Sequence, residues 1–375
     1  MRIVYTTLWV LAAVAAYLLL WPVTIEPVAW TPPVLAASAP NTALRAVQRI
    51  EPALPEFAGP EGISVDAQGR VYAGVGDGQL LSFAADFSSC KLLDNTGGRP
   101  LGLAVAADGS VLIADAYKGL LRVSASGEEL RVLSDSADGK RYGFTDDVDI
   151  TRDGRNAYFT DASTRFGFGH HMDDLLEHGR TGRLLRYDFE SGATTTLLQN
   201  RPFANGIALG PDEAYLLINE TWEYRITRYW LSGDKAGQTD VFIENLPGFP
   251  DNLSFNGRDR FWVALYSPRD AMLDQFLPMP WARKIVARLP EFLRPKPAKV
   301  AHVVGLDLDG RIVADLQYAG DDAYGYITSV EERDGWLIFG SLSNNAIGRI
   351  KLEDALAGGA GKAPEAALHP SCEAD

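Results

Sequence analysis

The chain has 375 residues, 46% of them hydrophobic, enough for one large all-β domain or two ordinary ones. Its formal net charge of −14 argues against a nucleic-acid partner, because a phosphate backbone is met by Lys and Arg that displace its counterions. The same balance gives no reason to expect binding to anionic lipid headgroups.

The stretch from Ile3 to Val23 carries no charge and is long enough to cross a bilayer core of ~30 Å as a helix. Only Arg2 and the amino terminus precede it, and no Lys or Arg occurs from Thr24 to Thr42. This bias puts the N-terminus in the cytoplasm and the rest outside. Secretion after signal cleavage is the alternative. An h-region usually has ~7–15 residues, however, and the small-residue site Ala37-Ser38-Ala39 lies far beyond the end of this one. Residues 1–23 therefore read as a transmembrane signal anchor and 24–41, with "PVAWTPPVLAASAPN", as an extended linker.

Six related copies follow. They begin with "GPEGISVDAQGRVYAGVGDG" at Gly59, "RPLGLAVAADGSVLIADA" at Arg99, "GFTDDVDITRDGRNAYFTDAS" at Gly143, "PFANGIALGPDEAYLLINE" at Pro202, "FPDNLSFNGRDRFWVALYS" at Phe249 and "GYITSVEERDGWLIFGS" at Gly325. Each reads strand, Asp-Gly or similar turn, apolar strand, third strand. A period of ~40–50 residues points to a propeller, in which small sheets bury their faces against one another around a channel. The expected fold is an all-β, six-bladed propeller over 42–355, preceded by the apolar helix. "TALRAVQRIE" would supply the strand that closes the ring, and 356–375 reads as a flexible tail. Cys90 and Cys372 could form one disulfide outside the cytoplasm, and two separate thiols fit the sequence equally well.

Two insertions break the rhythm, Thr164 to Gly182 and Asp270 to Pro297, the second with a basic amphipathic stretch. Both should project from one end or the rim of the ring, where either could cover a channel mouth, touch a membrane or form an ordinary surface helix. His170, His171, Asp173, Asp174 and His178 in the first raise zinc, but their spacing fits no closed zinc pattern and a solvated lid is the plainer reading.

The innermost strand of each blade lines the channel, so the strand starts converge on one mouth. The equivalent positions are Glu61, Leu101, Asp146, Asn205, Asp251 and Thr328, with Asn252 beside Asp251. Carboxylates and amides without Cys or His are ligands for a hard cation, Ca²⁺ above all, though another divalent cation would also fit. The plain alternative is that each caps a local turn. Four in register across repeats favour the metal. Asn205, which looks like a turn residue ahead of an apolar strand, is then an oxygen ligand aimed at the axis.

"GPEGISVD", "RPLGLAV", "DDVDITRDGRNAYFTDAS", "RPFANGIALGPDEAYLLINETWEYRITRYWL", "PGFPDNLSF" and "SVEERDGWLIFGSL" resemble the strictosidine synthase-like branch of the six-bladed propellers. That branch includes adipocyte plasma membrane-associated proteins and is related to paraoxonases and to the gluconolactonase and senescence-marker group. The resemblance implies a metal held by Glu61, Asp146 (where the lactonase relatives carry Asn), Asn205 and the Asp251-Asn252 pair. It also shows two departures. Leu101 stands where paraoxonases have a catalytic histidine, and Thr328 where strictosidine synthases have a catalytic glutamate. The reading is a calcium-dependent hydrolase of small hydrophobic lactones or aryl esters. Asp251 is the general base and Asp147 the runner-up, while Leu101 and Thr328 lie at the pocket. A non-catalytic binding propeller with structural calcium is the second reading, and a strictosidine-type condensing enzyme or lyase the third.

Overall fold

The computed structural model describes residues 2–36, 39–54, 57–359 and 362–373. Ala37 and Ser38 of the small-residue site lie outside the described residues. Six antiparallel sheets follow one another along the chain, each running from an inner to an outer strand. The innermost strands are Ile63–Val65, Pro100–Val105, Thr145–Ile150, Ala204–Leu209, Gly248–Phe255 and Ile327–Arg333. The chain is therefore a six-bladed propeller, as the repeats predict.

The turns after the first strands explain the recurring Asp-Gly pairs. Gly109 after Asp108 sits at φ 81° and Gly154 after Asp153 at φ 68°, a left-handed conformation that only glycine adopts freely, and Gly69 after Gln68 does the same in blade 1. Blade 4 uses Pro211-Asp212 instead, with Asp212 at φ 52°. The second strands are the most buried, Val111–Asp115 and Tyr215–Glu220 along their whole length, and pack blade on blade.

Gln48–Ile50 pairs with Ile347–Lys351 and becomes the outer strand of blade 6, so the N-terminal segment closes the ring as expected. The tail read as flexible does not behave so over its described end. Ser371–Glu373 pairs in parallel with the outer strand of blade 1, and Cys372 is disulfide-bonded to Cys90. The physical reason is an open strand edge at Ser89–Asn95, which offers unpaired backbone groups to any nearby segment.

Arg2–Leu20 forms a helix with no buried residue, long and apolar enough to cross a membrane. The linker beyond it crosses the propeller as a strap. Val28 N donates to Glu177 O (2.8 Å) and Trp30 N to Leu277 O (3.2 Å), one bond to each insertion. Ile25 is buried against Phe166 and Leu176 of the first insertion.

Candidate metal centre and its cavity

Five of the six inner strands break register at the predicted position. The ladder skips between Pro100 and Gly102, Thr145 and Val148, Ala204 and Ile207, Pro250 and Leu253, and Ile327 and Ser329. Such bulges turn a side chain out of the sheet plane, and here the residues set free are Leu101, Asp146, Asn205, Asp251 and Thr328. The glycine after Asn205 has a matching reason. A Cβ on Gly206 would lie 2.5 Å from the Asp251 carbonyl and from Asn252 Cα, so glycine lets neighbouring inner strands approach at this level.

Glu61, Asp146 and Asp251 are buried and offer one oxygen each within 4.8 Å of one another. Oxygens bound to one Ca²⁺ at ~2.3–2.6 Å can be no farther apart than about that. Asp146 Oδ2, Asn205 Oδ1, Asp251 Oδ1 and Asn252 Oδ1 are buried without a hydrogen-bond partner. Buried polar oxygens are rarely left so. The Asn205 side chain lies beside Asp251 and opposes the rise of its carboxyl. This donor set suits a hard divalent cation. Asn252 lines a second chamber of the channel and not the cavity that Asp251 lines.

The electrostatics agree. Burial, then Asp251 and Glu61, push the Asp146 carboxyl well above its usual range. Burial, then Glu61, do the same to Asp251. Glu61 is raised by burial against the opposing pull of Arg99. Arg99, whose Nη2 donates to Glu61 Oε2 at 2.7 Å, was not anticipated from the sequence. Three carboxylates against one guanidinium leave two negative charges, the number a divalent cation neutralises.

Around this centre the backbone is braced by groups from neighbouring strands. Thr160 Oγ1 donates to Asn205 O (2.6 Å), Asn219 Nδ2 to Asp251 O, and Thr221 Oγ1 to Pro250 O (2.7 Å). Thr328 Oγ1 and Ser329 Oγ both donate to Glu61 O, at 3.0 and 2.6 Å. Thr328 therefore positions a ligand residue and does not line the cavity. Leu101 is fully buried in the core and is likewise absent from the cavity lining, a correction to its reading as pocket wall. Asp147 is also corrected. Its oxygens accept from Val148 N and Ile207 N, each at 2.9 Å, so it ties blade 3 to blade 4 and is turned away from the ligand cluster. A bulge sends adjacent residues to opposite sides, and Asp146 and Asp147 have separate fates for that reason.

Above the carboxylates lies a cavity of about 200 Å³. Its wall is aromatic, from Phe144, Phe168, Phe203, Trp222, Phe249 and Tyr266, and both insertions roof it. The first is a packed element, helix His171–Glu177, with Leu175, Leu176 and His178 buried, and so not a solvated lid. His178 stacks on Trp30 of the strap, and burial lowers its pKa to about 3. His170 pairs with Asp173, while His171 lines the cavity. Among the described residues these histidines form no metal-ligand cluster.

The model of the strictosidine synthase family matches residues 146–234, and that of the strictosidine synthase-like N-terminal region matches 37–83. Strictosidine synthase-like protein 6 of Arabidopsis thaliana is 35% identical over 299 residues, 78% of this chain and 79% of that protein. The adipocyte plasma membrane-associated protein of Homo sapiens is 32% identical over 361 residues, 90% of this chain and 86% of its own. The chain belongs to the strictosidine synthase-like family. Among solved structures, a Xanthomonas campestris gluconolactonase superposes with a TM-score of 0.59 at 15% identity, covering 87% of this chain and 98% of its own. A calcium-binding regucalcin from Agrobacterium tumefaciens gives 0.56 at 15%, covering 86% and 96%. At that identity the likeness is one of fold. In this member of the strictosidine synthase-like family Thr328 is engaged as a backbone brace on Glu61.

Proposed function

We propose that the protein is a membrane-anchored, calcium-dependent hydrolase of lactones or aryl esters with an apolar acyl or aryl group. The observation that carries this reading is the set of unpartnered oxygens of Asp146, Asn205 and Asp251 at the floor of an aromatic cavity. The gluconolactonase and calcium-binding regucalcin among the fold neighbours support it. A bound divalent cation would supply Lewis acidity toward an ester carbonyl. Glu61, Asp146, Asn205 and Asp251 would hold it, with Asn252 behind them.

Asp251 takes one proton from water as its oxygen attacks the carbonyl carbon, and returns that proton to the alkoxide as the ester C–O bond breaks. Asn205 and Asp251 both line the cavity, and the Asn205 side chain favours the ionised form of Asp251. The aromatic wall and the two insertions hold the apolar group and exclude bulk water. The purified full chain, assayed on a lactone and aryl-ester panel with calcium and with chelator, should show calcium-dependent turnover.

The alternative is a non-catalytic binding propeller. It is favoured by the buried Leu101 at the register position of a proton-transfer residue, and by Asp147, whose oxygens are both engaged. No turnover across the panel, together with calcium-dependent stabilisation, would select it.

We infer that the propeller lies on the non-cytoplasmic side, with secretion after cleavage as the alternative. The Cys90–Cys372 disulfide supports an oxidising compartment. N-terminal sequencing of protein isolated from cells decides between anchor and cleavage.

A further inference from the structure

The second insertion presents large apolar side chains to solvent. Met272 is 47% exposed, Trp281 65%, Phe292 77% and Leu293 56%. Trp281 lies on helix Pro280–Arg288, whose inward residues Ala282 and Arg283 are buried, and the others lie on either side of it in the chain. From 281 to 299 the chain carries Arg283, Lys284, Arg288, Arg294, Lys296 and Lys299 against Glu291 alone, in a protein of net charge −14.

This segment is bonded to the end of the N-terminal apolar helix. The last carbonyls of a helix lack partners within it. Here Arg288 supplies them, donating from Nη1 to Leu18 O (3.0 Å) and from Nε to Trp21 O. Tyr17 Oη donates back to Arg288 O (3.0 Å). Arg283, fully buried, donates to Leu176 O (3.0 Å) in the first insertion and to Val28 O in the strap. The end of the apolar helix, the strap and both insertions are thus one hydrogen-bonded unit.

We propose that this face of the second insertion is a membrane-docking surface. Trp281, Phe292 and Leu293 enter the lipid headgroup boundary, and Lys284 and Lys296 meet anionic headgroups. The inference rests on the reading of Arg2–Leu20 as a membrane anchor. If that helix spans the bilayer, its capped end lies at the interface, and the surface fixed beside it lies there too. Aromatic and basic side chains on one short segment are what such a boundary selects. Arg294, Lys296 and Pro297 follow Phe292 and Leu293 directly in the chain and also line the cavity, so its outer wall adjoins the lipid and an apolar ligand would enter from there.

Nitroxide labels on the full chain, reconstituted in vesicles of phosphatidylcholine and phosphatidylglycerol, test this. They are attached in turn at Trp9→Cys, Trp281→Cys, Phe292→Cys and, on the outer strand of blade 2, Val132→Cys. Relaxation by oxygen against a water-soluble nickel chelate reads depth. The expected result is deep burial at 9, shallow lipid contact at 281 and 292, and full nickel access at 132. Contact at 281 should lessen in pure phosphatidylcholine, and also on Lys284→Glu with Lys296→Glu. Lipid at 9 with water at 281 and 292 overturns the docking surface alone, whereas water at 9 overturns the anchor reading as well. Spin–spin broadening at 292 without oxygen access would assign the patch to a second copy of the chain and also overturn the proposal.

Discussion

The two ends of the channel use the same residue types to opposite ends. Toward the insertions, Asp146 and Asp251 leave oxygens without donors beneath an aromatic cavity. Toward the other mouth, a chamber of about 340 Å³ is lined by Asp147, Asp149 and Glu331. There Asp147 accepts from Val148 N and Ile207 N, and Asp149 from Ile150 N (2.7 Å) and Leu209 N (2.8 Å). Burial raises both, Asp147 to about 8 and Asp149 to about 6, against the pull of those N–H groups. A buried carboxylate with its own backbone donors is a brace between blades. One without them is waiting for a ligand, and a shifted titration alone does not tell the two apart.

The largest effect should come from the ligand end. Asp251→Asn keeps an oxygen and similar volume but removes the base. Calcium-dependent ester or lactone turnover should fall ~10²–10⁴-fold while part of the metal affinity survives. Undiminished turnover, read alongside calorimetric calcium titration, would remove Asp251 from the base role and weaken the contrast with Asp147.

Calcium itself should stabilise the fold by mass action, by about 2.7 kcal/mol at a hundred times Kd. The effect also has a pH signature. Glu61, Asp146 and Asp251 are raised by burial in the metal-free fold. A group raised on folding contributes stability that is full below its unfolded value, near pH 4, and lost as pH rises. Chelated protein should therefore lose stability from about pH 4 upward, and saturating calcium should flatten that loss. Asp251→Ala should abolish the calcium increment in thermal melts. Identical melting curves with chelator and with calcium would sink the metal centre.

At the braced end, Asp147→Ala removes the acceptor from two buried N–H groups. A group left so costs about 1–3 kcal/mol. The urea midpoint should drop accordingly, with the calcium increment unchanged. Loss of calcium binding in this variant would show that the two ends are not separate.

Much of this division was legible in the repeats, because register across blades finds every position that faces the axis. It located the five bulged residues and the inner strands without any structure. What it could not supply was direction. Asp146 and Asp147 are adjacent, and which of them faces the cavity depends on a bulge, a backbone event with no residue signature of its own. Arg99 was hidden for another reason: it precedes its strand, outside the register that was compared. The strap and the docked C-terminal strand make bonds chiefly through backbone groups, which every sequence possesses. The disulfide was open because Cys90 and Cys372 are 282 residues apart and only the folded edge of blade 1 brings them together.

The smallest effect should come from Thr328, the residue that braces the Glu61 carbonyl. Its hydroxyl and that of Ser329 share one acceptor, Glu61 O, and the Ser329 bond is the shorter. Thr328→Val keeps the shape and leaves the carbonyl one donor. An ordinary hydrogen bond contributes about 0.5–1.5 kcal/mol, and with the acceptor still satisfied the loss should fall at the lower end. Calcium affinity should weaken less than tenfold and turnover should follow it. A catalytic hydroxyl behaves differently, since its removal lowers kcat with calcium at saturation. Equal kcat in the variant and the wild type under that condition would keep Thr328 among the braces. A large fall would move it into the chemistry.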